Sequence, residues 1–128
     1  ALVVPITKMW DLGTCDLIVE AVFEDVGVKA DVTKKVQAVT GPDCIFATNT
    51  SALDIDEIAS VTSRPQDVIG LHFFSPAHVM RLLEVVVGDK TAPELVSSAF
   101  AGATRFHPLS RRCSTSTTLS RRPAFFTS

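Results

Sequence analysis

At 128 residues, with 46% hydrophobic residues and a mean hydropathy of +0.29, the chain has enough apolar side chains for one modest core, so a single domain is the ceiling. The formal net charge of −2 hides a division: residues 1–104 carry fourteen Asp and Glu against seven Lys and Arg, whereas residues 105–128 carry five Arg and no acid. The two parts do not make one surface, and no nucleic-acid partner is expected.

No apolar run approaches the roughly 18–20 residues of a membrane span, so none is expected. The odd set Cys15, Cys44 and Cys113 has no metal-ligand spacing, which points away from a metal site and a disulfide framework and toward a reducing compartment.

Residues 1–14 open with L-V-V-P-I and can be assigned only weakly. Residues 16–23, D-L-I-V-E-A-V-F, form a nearly continuous β-branched run, the pattern of a strand covered on both faces. From Asp25 the valines Val28, Val32, Val36 and Val39 recur at helical spacing, with Lys29, Lys34 and Lys35 on other faces, and Gly41-Pro42 stops the helix. Residues 44–47 read as a second short strand running into N-T-S. A shorter helix over residues 55–60 follows, with Asp54 as its cap.

Residues 68–74 are a third strand, ended by Pro76, and residues 82–87 restart the β pattern. A hairpin-like return between them would bring Glu84 beside His72. An imidazole held by a carboxylate is fixed in one tautomer, as a general base needs. Equally, His72 could bond a backbone carbonyl while Glu84 faces water.

The alternation of strands and helices predicts an α/β fold: a parallel sheet with helices on its faces and ligands at the carboxyl ends of the strands. Ala21 to Glu24, Asn49 to Ser51 and His72 all fall at such ends. Glu24 could accept a ribose hydroxyl or help cap the next helix. Asn49-Thr50-Ser51 could hold a cofactor amide or a substrate oxygen, or serve as an ordinary turn. The sequence contains no G-x-G-x-x-G, Walker A, H-E-x-x-H or G-x-S-x-G motif.

D-L-I-V-E-A-V-F-E-D, A-T-N-T-S-A-L and G-L-H-F-F-S-P-A-H-V-M-R-L-L-E-V-V, in this order and spacing, closely resemble the NAD-binding domain of the 3-hydroxyacyl-CoA dehydrogenases. The resemblance covers residues 12–95. H-F-F-S-P-A-H-V-M is similar to the multifunctional fatty-acid β-oxidation proteins, in which this domain is joined to an enoyl-CoA hydratase.

The resemblance implies NAD as cofactor, a 3-hydroxyacyl-CoA substrate and a His72/Glu84 dyad, with His72 as the base and Glu84 supporting it. It implies that Ser51 holds the reacting oxygen beside the nicotinamide, that Asn49 also lies near that ring, and that Glu24, Lys29 and the backbone at Ala21 contact the ribose side. Ser75 stands where single-function members have Asn and is assigned to the substrate side.

By the same resemblance, the fold is a partial Rossmann-type sheet over residues 1–103. The first βαβ half, with its glycine-rich turn, is expected to precede Ala1. A helical second domain or partner chain completes the cleft, and the chain alone is expected to be inactive. Residues 104–128, rich in Arg, Ser and Thr, are expected to be a disordered tail foreign to the family. The parent would be cytoplasmic in a bacterium, or peroxisomal or mitochondrial. The rival expectation is a non-catalytic Rossmann-type remnant or binding module.

Overall fold

The computed structural model describes residues 4–76, 79–80, 82–106, 110–115 and 124–126, and from residue 102 onward its backbone course only. After a 3-10 turn at Met9–Thr14, the order is β1 (Leu17–Glu20), α1 (Val26–Val39), β2 (Ile45–Thr48), α2 (Ile55–Ser60), β3 (Val68–Phe73), β4 (Leu82–Val87) and α3 (Pro93–Phe106). Strands β1, β2 and β3 are parallel and consecutive, and β4 returns antiparallel beside β3. This is the expected α/β architecture.

The backbone of Ser110–Thr115 pairs parallel with β4 as β5, and Ala124–Phe126 pairs antiparallel with β5 as β6. The expectation of disorder over 104–128 otherwise falls on residues outside those described. Helix α3 runs to Phe106, across the boundary expected at residue 103.

Alternation along the strands divides the core between the two faces of the sheet. Ala47, Ile69, Leu71, Leu83 and Val85 pack with Leu95 and Ala99 of α3 on one face. Phe46 and Val68 pack with Val36 of α1 and Ile55 and Ala59 of α2 on the other. Each fully buried side chain of this size contributes about 1.5–3 kcal/mol. Gly70 lies between layers: a Cβ there would meet Val86 Cβ at 2.7 Å and Ile55 Cδ1 at 3.0 Å, so only glycine lets α2 and β4 approach this closely.

Both helix starts follow their capping residues. The Asp25 carboxylate accepts the Val28 N–H at 2.9 Å, and Asp54 accepts that of Asp56 at 2.8 Å. Two expectations need correction. Strand β1 ends at Glu20, three residues early, because the Glu20 carboxylate accepts the Val22 N–H and turns the chain. And α1 is rotated from the valine stripe: its buried residues are Lys29, Ala30, Thr33 and Val36, while Val28 is 43% exposed. Lys29, expected on an outer face, is fully buried because two carboxylates draw its ammonium inward.

Candidate active site at the carboxyl ends of the strands

Parallel strands end together, so the segments following β1, β2 and β3 meet at one edge of the sheet. From β1 come Glu20, the Ala21–Phe23 turn and Glu24; from β2 come Asn49, Thr50 and Ser51; from β3 comes His72. Helix α1 adds Lys29 from beneath.

His72 and Glu84 are direct partners in the antiparallel register of β3 and β4, so their side chains leave the same face of the sheet. His72 Nδ1 lies 3.3 Å from Glu84 Oε2, and both side chains are about 15% exposed. With Nδ1–H donated to the carboxylate, Nε2 is left as the acceptor. The Phe74 ring packs against the imidazole at a centroid distance of 4.4 Å and restricts its rotation.

Asn49 Oδ1 accepts the Phe73 N–H at 3.0 Å, which locks the end of β2 to the residue after His72 and leaves the amide nitrogen out of that bond. Asn49's own N–H donates to the Glu20 carbonyl at 2.7 Å. The three strand ends are therefore fixed to one another by Asn49.

Glu24 reaches from the end of β1 to the turn after β2. Its Oε1 accepts the Thr50 hydroxyl and, at 3.0 Å, the Ser51 N–H, and its Oε2 lies 3.4 Å from Lys29 Nζ. Burial pushes the Glu24 carboxyl up, but the Thr50 hydroxyl, the Ser51 amide and the Lys29 ammonium together hold it below its ordinary value.

A carboxyl with a lowered folded value adds stability that is complete above the ordinary 4.5 and is lost as pH falls through the lower folded value. The unfolding free-energy difference between wild type and Glu24→Gln is therefore expected to shrink toward zero on acidification. A difference constant from about pH 6 to about pH 2 would contradict this.

Sequence reading missed Glu20 and Thr48. The Glu20 carboxylate, 1% exposed, accepts from Lys29 Nζ at 2.9 Å and from the Thr48 hydroxyl at 2.7 Å. The available signal was an acid inside an otherwise apolar strand, since carboxylates are seldom fully buried unless paired. The Ser51 N–H is held by Glu24 Oε1 and His72 by Glu84, so the two belong to separate sets of bonds. Ser51, Ser75 and Ala21 are exposed. Ser75 stands two residues beyond β3, with its expected role resting on its position alone.

A parallel sheet covered on both faces, with polar side chains gathered at the carboxyl ends of its strands, is the arrangement of nucleotide-dependent α/β enzymes. Residues 1–108 match the family model of the 3-hydroxyacyl-CoA dehydrogenase NAD binding domain. The chain is 53% identical over 92 residues to a peroxisomal bifunctional enzyme of Cavia porcellus, a match spanning 72% of this chain and 13% of that protein. It is 44% identical over 103 residues to a fatty acid oxidation complex subunit alpha of Shewanella loihica, spanning 80% of this chain and 15% of that protein.

The crystal structure of 3-hydroxybutyryl-CoA dehydrogenase from Escherichia coli K12 superposes with a TM-score of 0.85 at 36% identity, covering 89% of this chain and 24% of that one. The chain belongs to the 3-hydroxyacyl-CoA dehydrogenase family, through its NAD-binding domain. The family is an oxidoreductase family whose cofactor is NAD.

The residues at the sheet edge suit a bound nucleotide cofactor. They supply the half-exposed Glu24 carboxylate, the Asn49 side-chain amide, and the apolar Val22 and Phe23, 39% and 80% exposed. Among the described residues no helix is long and apolar enough to cross a membrane.

Proposed function

We propose that this chain carries the catalytic pair and the nicotinamide side of the cofactor site of a dehydrogenase that oxidises (S)-3-hydroxyacyl-CoA to 3-oxoacyl-CoA in fatty-acid β-oxidation. The observation that carries the reading is the His72–Glu84 pair, set by strand register at the edge where Glu24, Asn49 and Ser51 gather.

His72 Nε2 takes the proton of the substrate's 3-hydroxyl as the C3–H bond gives up its hydride. Glu84 holds the imidazole in the accepting tautomer and offsets the charge of the imidazolium that forms. The Ser51 hydroxyl donates to the reacting oxygen, and Ser75 lines the substrate side. Glu24, with the backbone at Ala21, holds the ribose side of NAD, the buried Lys29 acts on that side through its contact with Glu24, and Asn49 steadies the nicotinamide. NAD, when bound, supplies the hydride acceptor. The 3.3 Å separation of His72 and Glu84 is at the long end of a hydrogen bond, as catalytic pairs often are without substrate.

Catalysis needs cofactor and substrate held together, and the chain spans only about an eighth of the curated relatives it matches. We place the rest of the cofactor site and the opposite wall of the cleft in segments outside this sequence. The parent protein would reside in a peroxisome or a bacterial cytoplasm.

The test is NADH-dependent reduction of acetoacetyl-CoA. The full-length protein is expected to turn over, and the 128-residue chain alone is expected to show none above background. Turnover by the chain alone would overturn the division of the site, and none by the full-length protein would favour a non-catalytic binding module.

A further inference from the structure

The proposed reaction uses Ser51, Glu24 and Lys29 but leaves unexplained the most deeply buried acid beside them. Glu20 is 4% exposed, and its bonds run to three separate segments: the β1–α1 turn at Val22, the buried Lys29 of α1, and Thr48 at the end of β2. Glu20 and Thr48 are register partners, so their side chains leave the sheet on the same side.

Buried ions are an inefficient way to hold a fold, since the desolvation of each costs several kcal/mol and a well-packed apolar pair serves as well. What an ion pair adds is direction. Lys29, gripped by Glu20, presents the same ammonium to the Val22 carbonyl at 3.2 Å and to Glu24 Oε2 at 3.4 Å. Glu24 in turn accepts from the Thr50 hydroxyl and the Ser51 N–H. A continuous chain of bonds thus runs from Glu20 through Lys29 and Glu24 to the turn that carries Ser51.

We propose that Glu20 is a positioning residue for the reaction, fixing Lys29 and through it Glu24 so that the Thr50–Ser51 turn holds the Ser51 hydroxyl in place. The inference rests on the reading of Ser51 as the residue that binds the reacting oxygen. Without the Glu20 charge, Lys29 is free to shift toward Glu24 and draw its carboxylate off the turn. The effect is then on turnover per folded site rather than on the amount of folded protein.

The experiment is a double-mutant cycle in the full-length enzyme with Glu20→Gln and Ser51→Ala, read as kcat per folded site. Glu20→Gln is expected to lower kcat about tenfold in the wild-type background and by less than about twofold in the Ser51→Ala background, where there is no hydroxyl left to position. Hydrogen exchange across residues 48–53 is expected to quicken in Glu20→Gln, because the Ser51 N–H loses its held acceptor. A purely structural role would change kcat by the same factor in both backgrounds.

A folded Glu20→Gln enzyme with wild-type kcat, or with unchanged exchange over residues 48–53, overturns the proposal while Ser51→Ala still reports on the Ser51 reading. If Ser51→Ala itself leaves kcat unchanged, that reading falls and the proposal falls with it. Should Glu20→Gln fail to fold, Thr48→Val removes only the hydroxyl that steadies Glu20 Oε2. It is expected to lower kcat about threefold, and a wild-type rate in that variant overturns the proposal.

Discussion

Replacing His72 with glutamine in the full-length enzyme is expected to lower kcat by about 10²- to 10⁴-fold, the range for removing a positioned general base. The KM for NAD should stay within about twofold, because a base that acts only on the reacting hydroxyl contributes to the transition state and little to cofactor binding. Glutamine retains a side chain that can bond Glu84 Oε2, which lies 3.3 Å from His72 Nδ1, so the paired strands need not rearrange. Glu84→Gln keeps shape but removes charge, and is expected to cost less, about tenfold or more. Steady-state kinetics with acetoacetyl-CoA and NADH distinguish these outcomes. A His72→Gln enzyme with a near-normal rate would show that the proton leaves by another group, and the pairing of β3 with β4 would then be a structural contact only.

The second large effect falls on stability. Lys29 is fully buried, and the Glu20 side chain with which it pairs is 1% exposed. Truncation by Lys29→Ala removes the cation and leaves the Glu20 carboxylate with the Val22 N–H and the Thr48 hydroxyl as its remaining recorded partners. Breaking a buried pair from one side costs about 3–5 kcal/mol, chiefly the penalty of a buried charge without its counter-ion. The double variant Lys29→Met/Glu20→Gln is expected to recover most of that loss, since neither buried member of the pair is then charged. Denaturant unfolding of the full-length protein, followed through this domain's transition, measures both. A loss under about 1 kcal/mol for Lys29→Ala would show that water reaches Glu20.

These two predictions differ in how far the sequence alone supports them. The apolar runs at 68–74 and 82–87, with Pro76 between them, were enough to place His72 and Glu84 on two strands that a hairpin-like return could bring together. Antiparallel pairing then made them partners at His72↔Glu84. Asp25 and Asp54 marked the starts of α1 and α2, because an acid before an amphipathic run satisfies amide groups that the helix leaves open. The N-T-S triplet after β2 could be placed at a strand end for the same local reason. Its contact with Glu24 could not, because that bond joins residues 26 and 27 positions apart.

The rotation of α1 shows the limit most clearly. By hydropathy the helix is expected to turn Val28, Val32, Val36 and Val39 inward. In the sheet's presence Val28 is 43% exposed and Lys29 is fully buried, because an ammonium between two carboxylates outweighs one valine's share of apolar area. Neither Glu20 nor Glu24 is within one helical turn of Lys29, so no local window registers the pull.

The sequence by itself determined the alternation of strands and helices, the helix starts and the chain reversal that can return Glu84 toward His72, since these depend on periodicity and capping; that the two side chains meet was decided by the register of β3 with β4. The tertiary structure alone decided which face of α1 is buried, where β1 ends, and that Glu20, Lys29, Glu24 and the Ser51 turn form one connected set. Electrostatic attraction acts through space between groups that the chain keeps apart, and only the closed sheet brings them within bonding distance.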